Sequence, residues 1–290
     1  MKKVQLVFLL FIIITTLQAQ LLWKITGKNL KNTSYLFGTN TMIPPGFADS
    51  IPDIYIAFNK CSTVVSEITM NSIDNQKKIY NAAILPHGIK LDQIITGENY
   101  KIVDTEIKSV LKIGLKELSV MQPQLILNMY KTELNKNIFR YKSEYHIDSF
   151  FQLIGSEKGK NIIGLETIDK QISLLFDTTN IKRKADLLVE SIVNKENLIA
   201  DLKQINSLYK AGNLQGLYNL AKRQGRITDM TMEEFSQSVD NRNHAWLIQI
   251  PELMKYSSCF IAVDAIHLPG ENGLIKLLEK EGYKVTKAGK

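Results

Sequence analysis

The segment FIAVDAIHLPGENG, Phe260–Gly273, is an apolar run that breaks into a histidine-bearing, glycine-containing turn. Far upstream, SYLFGTNTMIPPG, Ser34–Gly46, has the same form but ends in Thr-Asn-Thr, without the histidine. Short apolar runs bounded by Gly and Pro read as buried strands. Two of them near opposite ends of a 290-residue chain imply a sheet assembled from distant parts of the sequence.

Other segments fill in that sheet. LLWKIT (Leu21–Thr26) reads as a strand joined to SYLFGT by the hairpin-like loop GKNLKNT. IPDIYIAFNKC (Ile51–Cys61) spaces Ile54, Phe58 and Cys61 about one helical turn apart, with Pro52 suited to the first turn. TVVSEITM (Thr63–Met70) reads as a third strand, NIIGLET (Asn161–Thr167) as another, and SCFIAVD and YKVTK close the chain around the helix LIKLLEKEG. Helices fill the remainder from Ile73 to Tyr256. YKIVDTEIKSVLKIGL carries the stripe Ile102, Val103, Ile107, Val110, Leu111, and the later block carries Leu187, Leu188, Ile192, Leu198, Leu202, Ile205 and Leu208. Pro123 suits a helix start and Gly159 a helix stop. The expectation is an α/β (α+β-like) protein. Its central mixed sheet is built from N- and C-terminal strands, with a helical insertion over about 73–256 interrupted by a strand near 161–167.

The first twenty residues stand apart. Lys2 and Lys3 precede the apolar run VQLVFLLFIII, and Ala19 supplies a small residue for cleavage, so residues 1–20 read as a signal peptide and 21–290 as one domain. The run is too short to span a bilayer, and no stable transmembrane segment is expected after cleavage. The protein is therefore expected to be exported, periplasmic or extracellular. Of the formal charge of +7, Lys2 and Lys3 supply two, leaving +5 beyond the leader. The basic residues, as in NIKRKADLL and NLAKRQGR, are scattered through helices and read as a solvated face. A nucleic-acid groove would cluster them among aromatics, so no nucleic-acid partner is expected. Cys61 and Cys259 are the only cysteines, and either a bridge or two buried thiols fits an oxidising compartment.

In α/β proteins the side chains at the C-terminal ends of strands face the ligand crevice. Thr41, Glu67, Glu166 and His267 fall at such ends. Glu67, inside the apolar VVSEI, reads as an edge residue facing water or as a carboxylate that is paired or turned to a cavity. An imidazole with carboxylates from separate strands has the composition of a divalent-metal site or an acid/base pair. Arg242 reads as a surface helix cation or as a clamp for a carboxylate. His244 faces another side of that helix, and His87 and His146 show no ligand spacing and read as structural.

Several blocks in the same order resemble the TraB/GumN family, itself similar to the Tiki metalloproteases. They are LLWKITGKNLKNTSYLFGTNTMIP, STVVSEI, HIDSFFQLIGSEKGKNIIGLETIDKQISLLFD, and DNRNHAW followed by CFIAVDAIHLPGENGLIKLLEKEGYKVT. The resemblance implies two Gly-x-x-His motifs whose histidines, with nearby acids, hold a water-activating divalent metal for peptide hydrolysis. Position by position, Gly38 is kept but Thr41 stands for the first histidine; His267 is kept but Asp264 stands for the second glycine. Glu67, Glu166 in GLET, and Arg242 with Asn243 ahead of Trp246 match the family's other blocks. A threonine hydroxyl is a poor ligand for Zn, Mn or Co beside a neutral imidazole, so the substitution should weaken metal binding. Asp264 is a candidate replacement ligand, with His267 and Glu67, for Mn²⁺ or Mg²⁺. Two functions remain open at this stage. One is a metal-dependent, peptidase-like hydrolase in which Glu67, Glu166 and Arg242 act beside the metal. The other is a non-catalytic relative whose crevice binds a peptide or protein ligand.

Overall fold

Strands β1 (Leu22–Thr26) and β2 (Ser34–Thr39) pair antiparallel, Leu22 opposite Phe37 and Ile25 opposite Ser34. The loop between them turns through Gly27, Lys28 and Asn29, all at positive φ. Only glycine adopts that region without cost, and asparagine tolerates it better than most residues. The computed structural model describes residues 21–69, 73–86, 88–143, 145–177 and 180–288; the signal-like stretch and His87 lie outside them.

The remaining elements follow in order: α1 (Ile54–Lys60), β3 (Thr63–Ser66), α2 (Ile73–Ala82), α3 (Leu91–Ile94), α4 (Gly97–Leu111), α5 (Pro123–Phe139), α6 (Ile147–Glu157), β4 (Asn161–Gly164), α7 (Ile168–Leu175), α8 (Ile181–Val193), α9 (Lys195–Lys210), α10 (Leu214–Ala221), α11 (Met232–Phe235), α12 (Asn241–Tyr256), β5 (Cys259–Asp264), α13 (Leu274–Lys280) and β6 (Lys284–Lys287). Among the described residues the sheet has six strands in the order β4-β3-β5-β2-β1-β6. β4, β3, β5 and β2 run parallel, while β1 runs antiparallel to both β2 and β6. This is the expected mixed sheet, with β4 the one strand supplied from inside the helical stretch. The parallel strands bring the C-terminal ends of β2, β3, β4 and β5 to one rim, where such sheets place their ligand crevices.

Burial explains the strand composition. Leu36, Phe37, Val64, Val65 and Phe260 are fully buried. Phe151 of α6 packs 4.9 Å from Phe260 and 5.4 Å from Phe37, and Phe58 of α1 meets Phe260 edge-on at 5.4 Å. Each such side chain taken from water contributes roughly 1.5–3 kcal/mol. A second apolar cluster, including Val103, Ile107, Tyr130 and Leu188, sits within the helical insertion. Asn135 of α5 ties that block to the sheet by donating to the Met42 carbonyl at 2.7 Å. No helix among the described residues is long and apolar enough to cross a membrane.

Several expected boundaries shift. β3 ends at Ser66 rather than Met70, and β4 at Gly164 rather than Thr167. Backbone pairing nevertheless continues past both ends, since the Glu166 N–H donates to the Glu67 carbonyl at 2.9 Å. β3 lies between β4 and β5, so Glu67 follows an interior strand and not an edge. Pro52 precedes α1, whose N-cap is Asp53 at φ 60. Cys61 and Cys259 are buried free thiols, and burial pushes Cys61 up to about 12. The cations of NIKRKADLL and NLAKRQGR are not simply solvated. Arg183 pairs with Glu234 at 3.0 Å, and Arg223 with Asp201 at 2.8 Å and Asp229 at 2.7 Å.

Candidate functional site

The rim is organised around one guanidinium. A π-helical turn, Ser236–Asp240, leads into α12 and leaves Arg242, Asn243 and Trp246 facing the sheet, all buried. Such turns recur at functional sites because they re-aim side chains and free carbonyls. Arg242 uses the freed carbonyl, donating from Nη1 to Ser238 O at 3.2 Å. Nε donates to Glu166 Oε1 at 2.9 Å, and Nη2 to Glu67 Oε2 at 2.5 Å. The guanidinium also lies 4.6 Å from the Trp246 ring centre. Of its two possible roles, the structure gives Arg242 the clamp, and it is buried rather than on the surface.

Both acids hold further donors. Glu166 Oε1 accepts from the Trp246 indole at 3.0 Å, and Oε2 from Gln171 at 2.9 Å. Glu67 Oε1 accepts the Asp264 backbone N–H at 2.9 Å. Burial pushes the Glu67 carboxyl up, but His267, Arg242 and that N–H outweigh it and hold the group below the usual range. Arg242 is the one of the two that carries charge at neutral pH.

His267 sits in the 3-10 turn Ala265–His267 that follows β5, 1% exposed. Its Nδ1 meets Asn243 Oδ1 at 2.8 Å, while Asn243 Nδ2 donates to the carbonyls of His267 and Asn272 at 3.1 and 2.8 Å. The amide is thereby oriented with its oxygen toward the ring, so Nδ1 carries the proton and Nε2 is an acceptor. That acceptor faces Arg242 Nη1 at 3.2 Å. Burial lowers the imidazole to about 4, and the Arg242 charge acts in the same direction, while Glu67 opposes both. His267 is thus a neutral base whose free lone pair is occupied by the guanidinium.

Gly38 lies against this turn. A Cβ at Gly38 would lie 3.1 Å from Ala265 Cα and 3.2 Å from Ala265 Cβ, so any larger residue would have to push the histidine-bearing turn away by a few tenths of an ångström. The Gly38 carbonyl accepts from the buried Tyr209 hydroxyl at 2.9 Å.

Asp264 closes β5, and its Oδ1 accepts the Ile266 N–H at 3.0 Å. Burial, with Glu67 and Asp148 nearby, raises its carboxyl to about 7. Asp148, in the first turn of α6, completes the acidic floor. Its Oδ1 is buried and makes no hydrogen bond with the described residues, and burial raises its carboxyl as well. Asp148 was not singled out from sequence, because an acid in the first turn of an apolar helix is adequately explained by the helix dipole. Thr41 is exposed beyond β2 and lines a small cleft with Asn135, Tyr145 and His146. His146 is the N-cap residue of α6, and His244 is exposed on α12.

The structure therefore brings together Glu67, Glu166, Arg242 and His267, with Asp264 adjoining through its backbone. The imidazole lone pair, which a divalent metal would need, faces Arg242, and each Glu67 oxygen already accepts a hydrogen bond, Oε2 from Arg242 and Oε1 from the Asp264 N–H. Asp264 turns an oxygen to its own loop. Among the described residues, no three His, Cys, Asp or Glu side chains are grouped to hold a metal ion. The arrangement does not fit a divalent metal unless the guanidinium leaves, exposing two carboxylates it neutralises.

The chain belongs to the TraB/PrgY/gumN family, whose model matches residues 21–287. No curated protein and no solved structure matches it.

Proposed function

We propose that this chain is an exported, non-catalytic member of its family, whose rim crevice binds a peptide or protein ligand without hydrolysing it. The observation that carries this reading is the contact of Arg242 with both His267 Nε2 and Glu67 Oε2. A hydrolytic centre of the kind the family resemblance implies needs those lone pairs for a metal and its bound water. Here an internal cation faces the imidazole lone pair and holds one Glu67 oxygen, and by the family resemblance Thr41 stands at the position of a further histidine. The same contacts make the cluster a firm base for a binding crevice, because Glu166 and Glu67 are fixed mainly by buried side-chain and backbone donors, with Gln171 adding a half-buried one.

The competing reading, a divalent-metal peptidase using Glu67, His267 and Asp264, draws its support from the acidic floor. Asp148 Oδ1 is unpartnered there, and the Asp264 carboxyl is raised by its neighbours. Incubating the mature chain with a mixed peptide library and Mn²⁺, Co²⁺ or Zn²⁺, with mass-spectrometric readout, separates the two. The proposal predicts no cleavage above that of His267→Ala. Saturable cleavage that disappears in both Glu67→Ala and His267→Ala would establish the peptidase instead.

A further inference from the structure

Away from the Arg242 cluster, two cavities of about 440 and 270 Å³ open in the helical insertion and share the wall formed by Lys131, Ser191 and Thr228. Both are sized for a small ligand, though only the larger falls within the common range. Leu198, Leu202 and Ile205 wall the larger, and Leu127 and Leu187 the smaller.

The cations around them are not equivalent. Arg226 is held by Asp201 at 3.1 Å. Arg183 is held by Glu234 at 3.0 Å and by the Ile227 carbonyl at 2.9 Å. Lys184 donates to the carbonyls of Leu175 and Asp177 at 3.0 and 2.8 Å. Lys131, projecting from α5 into the shared wall, has no hydrogen bond or ion pair with the described residues. Its nearest acidic influence is Asp201, whose two oxygens are already taken by Arg223 at 2.8 Å each. Burial pushes the Lys131 ammonium below the ordinary lysine range, as expected of a cation lacking a counter-ion in a partly dry space.

We propose that Lys131 anchors the carboxylate of a small amphiphilic ligand whose apolar body lies along the leucine walls of these cavities. One charge-assisted contact fixes one end, Ser191 and Thr228 border the same wall, and Leu198, Leu202 and Ile205 receive the tail; of the acids that also line the larger cavity, Asp201 is neutralised by Arg223 and Arg226 and Glu190 accepts from Asn194. The chemistry is that of a carboxylate with an apolar tail, supplied either by a free organic acid or by the C-terminus of a short apolar peptide. The smaller cavity touches the π-helical turn at Gln237 and Ser238, but the proposal does not depend on whether the Arg242 cluster is catalytic.

The test uses the full mature chain, titrated by calorimetry with octanoate, with octanol as its neutral counterpart, and with an apolar tripeptide as free acid and as amide. Saturable octanoate binding at least about tenfold tighter than octanol is expected, and Lys131→Met, which keeps the apolar stem, should bring octanoate down to the octanol level. A preference for the tripeptide acid over both its amide and octanoate assigns the source to a chain terminus; the reverse assigns it to a free acid. Octanoate binding no tighter than octanol, or unchanged by Lys131→Met, overturns the proposal. On the wild type alone, octanoate should shield Lys131 from acetylation in a mass-spectrometric footprint, and an unshielded Lys131 would equally overturn it.

Discussion

Arg242→Met removes the guanidinium while keeping an apolar stem against Trp246. The carboxylates of Glu67 and Glu166, with side chains 24% and 6% exposed, then lose their counter-ion. Removing one partner of a buried ion pair costs about 3–5 kcal/mol, mainly through the stranded charge. Each acid keeps other donors here: Asp264 N–H for Glu67, and Trp246 and Gln171 for Glu166. The expected loss is therefore at the lower end, about 3 kcal/mol. That is a large share of the roughly 5–15 kcal/mol of a typical domain. Urea denaturation at pH 7, followed by circular dichroism, reads it directly. Arg242→Lys should recover only part, because an ammonium cannot place parallel donors on Glu67, Glu166 and His267 at once. The deficit should also shrink in acid. Glu67 is held below its ordinary value, so its contribution is complete above that value and is lost as pH falls through the lower folded value. A loss below about 1 kcal/mol at pH 7 would mean that the cluster is solvated and the ion pairs carry little, as surface pairs do.

Further outcomes follow from the same geometry. Asp264 is raised to about 7 from 3.8 and His267 lowered to about 4 from 6.5, so their pH slopes oppose each other. Between about pH 4 and 6.5 the folded state retains the Asp264 proton and refuses the His267 proton, each slope reaching up to about 1.4 kcal/mol per pH unit. Relative to wild type, the stability of Asp264→Asn should rise with pH over that window and that of His267→Gln should fall; two parallel profiles would contradict the assignment. Gly38→Ala should cost about 1–3 kcal/mol in the same urea assay, since the new methyl presses on the Ala265 backbone that carries His267. Thr41→His alone should add no measurable Co²⁺ affinity by optical titration, because Arg242 still holds the other lone pairs.

Much of this arrangement was legible in the residues. The strand runs SYLFGT and CFIAVD are buried almost throughout, a periodicity-free signal that sequence reads well, but their parallel direction was not legible from separation alone, since the comparably distant β1 and β6 pair antiparallel. Of the four polar groups expected at strand ends, Glu67, Glu166 and His267 all contact Arg242, whereas Thr41 makes no hydrogen bond with it. What sequence could not supply was direction. Whether Glu67 and His267 turn their lone pairs to a metal or to a neighbouring cation depends on a π-helical turn that swings Arg242 inward, and nothing in QSVDNRN announces that turn. The strand ends were overextended for a related reason. VVSEI and NIIGLE keep backbone pairing one or two residues past Ser66 and Gly164, but there the regular ladder gives way and Glu67 and Glu166 turn to Arg242. Lys131 is invisible to pattern reading altogether, since it falls in an ordinary helix and only the packing of α5 against α8 and α9 places it in a cavity wall where the nearby Asp201 is already held by arginines.

The claim on which the account turns is that an arginine, and no metal ion, satisfies His267 and Glu67. Calorimetric titration of the chelator-stripped mature chain with Mn²⁺, Co²⁺ and Zn²⁺ at pH 7 addresses it most directly. The account predicts no saturable heat at this site for the wild type, with any residual signal unchanged in His267→Ala and Glu67→Ala. Stoichiometric binding abolished by both substitutions would contradict it.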